Sequence, residues 1–445
     1  MIDLKKIDLI DKDITNNLTK VFKSKLYNSL LLDLKRSLYQ HKSVFLVGLA
    51  DLGRLAIQIE GSFRKFWLNL INIIPDRKDE FLANYNFVSS LPIGGDVTII
   101  NPEIDFKDLY MIGNRQVENE VDDGDICIIY GGKATSRAIN QAAINASKRG
   151  ASVYYLYDEA KEKIASIDVA KGIVSNKNII KISLATEDSR CHLLKELIFT
   201  YSALEIISAE WLKENLTDSE YKVVSDLGYN ALSLNDYAKC FNVIAKGCQK
   251  EKALKGLSSL SSLMSQDNIY LSHNYLCDIL TCLVDNQVKS GLPTFKKRLD
   301  KSGEHNKDLA IDPLFPTAVA WQHIFRRSIK GLDESKNTYK LLGLNHPHIV
   351  SYHSSELFEY MIGYEEEASI NKYNLVLLDL NENYENMEVS YFTKVAPLAP
   401  SATVLRIGNV SRNKIFANEL IIPFKMPTSI LDIFSHLLIK VLFTD

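Results

Sequence analysis

Ser43-Val44-Phe45-Leu46-Val47-Gly48 is a short apolar run that stops at a glycine, crosses Leu49-Ala50-Asp51-Leu52-Gly53-Arg54, and enters an apolar, helix-compatible stretch at 55–66. A short apolar run that breaks into a glycine turn and then a helix reads as a buried strand of an α/β layer. Similar runs recur at 85–88, 126–130, 153–157 and 179–182, separated by helical stretches such as 137–148 and 191–206. Upstream, Leu26, Leu30, Leu31 and Leu34 set a helical period, so the first forty residues read as two amphipathic helices. Residues 211–263 are rich in Lys, Glu and Leu and helical in character. A second alternation then runs through 268–271, 375–380, 403–407 and 419–423 and closes with a helix at 430–442. Strands alternating with helices predict an α/β protein of two parallel-sheet units, each flanked by helices. The expected division is N-terminal helices at 1–42, a first unit at 43–210, a helical connector at 211–265 and a second unit at 266–445.

Composition sets the outer bounds. A chain of 445 residues with 46% hydrophobic and 24% charged residues is an ordinary globular sequence, long enough for two or three cores. Lys+Arg at 52 against Asp+Glu at 55 leaves a net charge of −3, so no nucleic acid or anionic membrane partner is expected. The N-terminus has no apolar signal core, and the apolar stretch near Phe434 carries His436 and Lys440 and is too short to span a bilayer. A cytoplasmic location is expected. The six cysteines form no C-x-x-C pair and read as free thiols.

In such folds ligands gather where strand ends meet helix N-termini, so the strand-end loops are the places to search. Gly48 and Gly53 allow a tight turn, although Asp51 within it either caps the helix or repels an anion. Gly94-Gly95-Asp96 is the next such loop. Gly131-Gly132-Lys133-Ala134-Thr135-Ser136 combines backbone freedom, a cation and two hydroxyls, the makings of an anion cradle that flexible surface loops also share. Arg190 could grip phosphate or pair with Glu187 or Asp188. His323, within Trp321-Gln322-His323-Ile324-Phe325, is either a packing histidine or an acid–base group. His346, His348 and His353 are spaced around a proline and read as a surface loop, so no metal is expected. Glu365, Glu366 and Glu367 read as a solvated face. Among the cofactor motifs sought, no Walker loop and no complete G-x-G-x-x-G is present, and no cofactor is expected.

The order of these motifs resembles the sugar isomerase (SIS) superfamily, whose members fold as a parallel sheet flanked by helices and bind phosphosugars at strand-end loops. Within it the order is most similar to phosphoglucose isomerase. The turn from Gly48 to Gly53 stands where that family has a Gly-Gly-Ser loop, and Phe87-Val88-Ser89-Ser90 resembles its Phe-Val-Ser-Asn segment. Gly132-Lys133-Ala134-Thr135-Ser136 looks like its phosphate loop, and Asp188-Ser189-Arg190 looks like its Gly-Gly-Arg loop. Asp300 to Glu304 resembles a Glu-Ser-x-Gly-Lys segment, and Gln322-His323 resembles the pair that supplies a ring-opening histidine. The resemblance implies a hexose 6-phosphate ligand, its phosphate held by Lys133, Thr135 and Ser136 with Gly48 and Gly53. It also implies Arg190 stabilising enediolate-like charge, Glu304 moving the proton and His323 opening the ring.

Several motif positions depart from that pattern: the Gly-Gly-Ser serine is absent and the arginine loop lacks both glycines. A competing resemblance is to the N-acetylmuramic acid 6-phosphate etherase and glucokinase regulatory protein group, on Gly53-Arg54-Leu55-Ala56, Ser62-Phe63 and Gly94-Gly95. Two readings therefore stand: an aldose–ketose isomerase with degenerate motifs, and a non-catalytic phosphosugar-sensing or protein-binding regulator. A sugar phosphate is the expected ligand of both, with a homodimer as the candidate assembly.

Overall fold

The computed structural model describes residues 18–100, 106–185, 192–229, 267–290, 297, 308–331, 353–364, 370–379, 386–408, 419–423, 436 and 439. The chain divides into two compact units, one bounded by Lys12–Asp236 with Ile329–Ser354 and the other by Met1–Asp11, Tyr237–Ser328 and Ser355–Asp445. They are called the first and second unit below.

Five parallel strands form the sheet of the first unit: β1 (Val44–Gly48), β2 (Val88–Pro92), β3 (Ile126–Gly132), β4 (Ser152–Tyr157) and β5 (Ile179–Ser183), in the order β2-β1-β3-β4-β5. The central strands read as continuous apolar runs because helices cover both faces. On one face Phe45, Val47, Cys127, Ile129, Val153 and Tyr155 share a core with the Tyr110–Glu120 and Arg137–Lys148 helices. Val44, Leu46, Ile128, Tyr130 and Tyr154 alternate onto the other face, where the helices Lys25–Tyr39, Asp51–Ile73 and His192–Asn215 pack. Buried phenols on that face need acceptors and find them: Tyr130 donates to Thr200 Oγ1 at 3.0 Å and Tyr154 to Asp33 Oδ2 at 2.6 Å. Trp67 and Trp211 meet edge to face at 5.5 Å, which ties the Asp51–Ile73 helix to the end of the His192–Asn215 helix.

The sheet of the second unit contains β6 (Asn268–Leu271), β7 (Asp308–Ile311), β8 (Asn374–Asp379), β9 (Ala402–Gly408) and β10 (Glu419–Pro423), all parallel, in the order β10-β9-β8-β6-β7. Counted along the chain within its own unit, each sheet runs 2-1-3-4-5. The order reverses between β1 and β3 and between β6 and β8, and these are the points where such sheets open a ligand crevice.

Two elements depart from the sequence reading. Residues 78–85 form a helix with Asp79 and Glu80 in its first turn, so β2 begins at Val88 rather than at 85. Its two serines dilute the apolar pattern, and Ser90 is accommodated in the interior by hydrogen bonds to Glu60. β7 has no counterpart in the sequence pattern because Asp308-Leu309-Ala310-Ile311 is an edge strand of four residues, too short to show a period. Of the expected connector, 211–229 is helical except at Leu216–Thr217 and the Leu227–Tyr229 end, and 230–266 lie outside the described residues. Of the expected final helix, only His436 and Ile439 are described, both helical.

Candidate functional site

At the end of β1, an alanine Cβ at Gly48 would overlap the Leu52 carbonyl, and one at Gly53 would lie 3.1 Å from the Gly48 oxygen. These two glycines bring the helix N-terminus hard against the strand end. Ala50 takes φ 53°, ψ −122°, a conformation costly for a residue with a Cβ, and Asp51 then accepts the Leu52 N–H at 2.8 Å. The carboxylate therefore stands at the helix N-terminus, where an anion would otherwise bind.

The loop after β3 is held from beneath. Gly132 and Ala134 have positive φ (53° and 58°), and buried Asn140 donates to the Ala134 and Val169 carbonyls at 3.0 and 2.9 Å while accepting Tyr155 Oη at 2.5 Å. Burial pushes the Tyr155 phenol well above its ordinary pKa, so it stays a donor. Ser136 is buried and spoken for: its Oγ accepts the Ile139 N–H as the cap of the Arg137–Lys148 helix and donates to the Lys107 carbonyl at 3.2 Å. Lys133 and Thr135 are exposed at the mouth of the loop.

In the second unit, β6 and β7 pair with Leu271 opposite Ile311, so the residues just beyond them emerge side by side. His273 and Asp312 are those residues. Imidazole Nδ1 lies 3.1 and 3.0 Å from the two Asp312 oxygens, with His273 8% and Asp312 0% exposed. Asp312 Oδ1 also accepts the N–H groups of Leu314 and Phe315 at 2.8 and 3.2 Å. Facing a carboxylate, Nδ1 must be the protonated nitrogen. The His273 backbone N–H is fixed by Glu388 Oε1 at 2.9 Å, from the first turn of the Asn386–Val395 helix that follows β8. His323, in the last turn of the Thr317–Phe325 helix, stacks on His273 with ring centroids 4.0 Å apart and planes 22° apart. Phe315 meets both rings edge-on at 4.9 and 5.3 Å. Arg326 Nη2 lies 3.3 Å from His323 Nε2, and because guanidinium only donates, that nitrogen accepts and Nδ1 carries the proton.

The sequence-predicted residues thus fall as follows. Gly48, Gly53, Lys133, Thr135 and Ser136 occupy the strand ends of the first unit, and His323 belongs to the histidine group of the second. Arg190 and Glu304, like His346, His348 and 365–367, lie outside the described residues. His273, Asp312 and Glu388 were missed. The strand-end rule applied to 268–271 would have marked His273, whereas Asp312 was hidden with its unread strand and Glu388 gave no signal. Among the described residues no group of His, Cys, Asp or Glu is arranged to hold a metal ion, and no helix is long and apolar enough to cross a membrane.

No family model and no curated protein matches the sequence. Among solved structures the chain is similar to tagatose-6-phosphate ketose/aldose isomerase from Escherichia coli, at 11% identity and a TM-score of 0.50, over 99% of this chain and 90% of that one. It is also similar to the C-terminal domain of glucosamine-fructose-6-phosphate aminotransferase from Francisella tularensis, at 9% identity and a TM-score of 0.47, over 95% and 92% of the two chains. One strand order used twice, together with a match to a ketose/aldose isomerase over almost the whole length, identifies the architecture: the chain has the fold of the sugar isomerase (SIS) superfamily.

Proposed function

We propose that this protein binds a sugar phosphate and that its second unit carries an isomerase-type acid–base site. The observation behind this reading is the gathering of His323, His273, Asp312 and Glu388 beside the β6–β8 switch point. Moving a proton between adjacent carbons of an open-chain sugar needs positioned acid–base groups of ordinary basicity, and imidazoles meet that need near neutral pH. His323, stacked on His273 and contacted by Arg326 through Nε2, is the proposed ring-opening group. Taken by itself, the first unit offers a separate candidate anion loop, with Lys133 and Thr135 exposed at its mouth and Ser136 setting it by capping the helix behind. The tagatose-6-phosphate isomerase named above supports a ketose or aldose phosphate as the ligand class, hexose 6-phosphates being the first to try.

The test has two stages. A ligand that binds only the folded chain must raise its melting temperature, by the equivalent of about 2.7 kcal/mol at a hundredfold excess over Kd. Turnover of glucose 6-phosphate, fructose 6-phosphate and tagatose 6-phosphate is then compared for wild type and His323→Ala, with a loss of about 10²- to 10⁴-fold expected in the variant. A second reading, a phosphosugar-sensing regulator, draws on the Asp51 carboxylate at the first helix N-terminus. Binding without turnover in wild type would select it, and neither binding nor turnover would end both readings.

A further inference from the structure

We infer that His273, oriented by Asp312, is the base that takes the proton from substrate carbon; this rests on the sugar-phosphate reading above. Three features separate the residue from a packing histidine. Its ring is more than nine-tenths buried, yet among the described residues Nε2 has no hydrogen-bond partner, all its polar contacts being made through Nδ1 and the backbone. Asp312, anchored by two backbone N–H groups, holds the proton on Nδ1 and leaves the Nε2 lone pair free. Backbone and ring are fixed independently, by Glu388 from the helix after β8 and by Asp312 at the end of β7, so the imidazole is preorganised from both sides of β6.

The step balances without a co-reactant. Nε2 takes the proton from the carbon next to the carbonyl, and the C–H electron pair becomes the C=C bond of an enediolate. The carbonyl π pair moves onto oxygen, which takes up the proton that the neighbouring hydroxyl gives up. Loss of the neighbouring hydroxyl proton and return of a proton from Nε2 to the former carbonyl carbon give the isomeric sugar and the starting imidazole. His273 is the catalytic residue in this account, and Asp312 is a positioning residue that acts through it.

The experiment uses the full chain and two variants. His273→Asn keeps an N–H donor where Nδ1 stands and lacks Nε2, so a merely structural role would be preserved. Expected is a fall in kcat of about 10²- to 10⁴-fold with KM nearly unchanged and the sugar-phosphate melting shift retained. Asp312→Asn should lower kcat as well, and nitrogen NMR of the His273 ring should show the proton moving from Nδ1 to Nε2. A wild-type ring protonated on Nε2 and bare on Nδ1, or a His273→Asn variant as active as wild type, overturns the assignment while leaving the sugar-phosphate reading intact. A wild type that neither binds nor turns over any sugar phosphate overturns both, so the two failures are told apart.

Discussion

Replacing Gly131 by alanine strikes the support of the Lys133–Thr135 loop rather than the loop itself. The new Cβ would lie closer than 3.0 Å to Cζ, Cε1 and Oη of Tyr155, whose ring is fully buried. The ring cannot swing away without breaking its hydrogen bond to Asn140, and Asn140 in turn holds the Ala134 and Val169 carbonyls. Overpacking of this kind costs about 1–3 kcal/mol. A lost buried hydrogen bond adds roughly 1 kcal/mol. The total of about 2–4 kcal/mol corresponds to a fall in melting temperature of roughly 4–16 °C for a unit of this size. Thermal unfolding of wild type, Gly131→Ala, Tyr155→Leu and the double variant forms a cycle in which the smaller side chain should tolerate the methyl group. A coupling of about 1 kcal/mol or more in favour of the double variant is expected. A Gly131→Ala protein as stable as wild type, or strictly additive single effects, would refute the packing argument, and with it the claim that Tyr155 and Asn140 position the loop.

Arg64 bonds Glu60 at 2.9 Å, Asn86 at 3.0 Å and the Val88 carbonyl at 3.2 Å, while Glu60 accepts the Ser90 N–H and hydroxyl, all next to β2. Arg64→Met removes the cationic member of a buried ion pair and should cost about 3–5 kcal/mol by denaturant titration, with much of the loss recovered in Glu60→Gln/Arg64→Met; a loss under about 1 kcal/mol would contradict the buried-pair account. Burial raises the phenols of Tyr27, Tyr130 and Tyr155 far above their ordinary value. Their neutral forms therefore contribute full stability below the unfolded phenol pKa near about 10 and lose it above, at up to about 1.4 kcal/mol per pH unit per tyrosine. Alkaline melts should show that steep decline together with delayed tyrosinate absorbance, and native tyrosines titrating freely without unfolding would contradict it. Lys133→Ala should weaken sugar-phosphate binding at least several-fold while leaving the melting temperature of the free protein within about 2 °C, since an exposed side chain seldom contributes more than 0.5 kcal/mol; an unchanged Kd would remove Lys133 from the phosphate site.

Why some of this was legible in sequence and some was not follows from where each strand sits. β1, β3 and β4 are covered on both faces, so Val44–Gly48, Ile126–Gly132 and Ser152–Tyr157 are dense apolar runs that announce themselves. β2 and β7 are edge strands, one carrying Ser89 and Ser90 and the other only four residues long, and neither needs such a run. The candidate site shows the same division. His323 lay in a recognisable Gln-His context, but its neighbours reach it through tertiary pairing: His273 and Asp312 are 39 residues apart and Glu388 lies 115 residues beyond His273. Only the register of β6 on β7 makes two strand-end residues adjacent, and no local pattern encodes that register. Ser136 is the reverse case. Its place in a hydroxyl-rich loop suggested a phosphate ligand, whereas its hydrogen bonds are those of a helix cap.

A histidine-centred site in this sugar isomerase fold is proposed to move a carbon-bound proton of a sugar phosphate. Incubating the full chain with fructose 6-phosphate or tagatose 6-phosphate in deuterated water and following the sugar by mass spectrometry tests it directly. Incorporation of one deuterium at the carbon next to the carbonyl is expected, lost in His273→Asn. Absence of exchange in a wild-type protein whose melting temperature the same sugar phosphates raise would contradict it and leave a binding protein in its place.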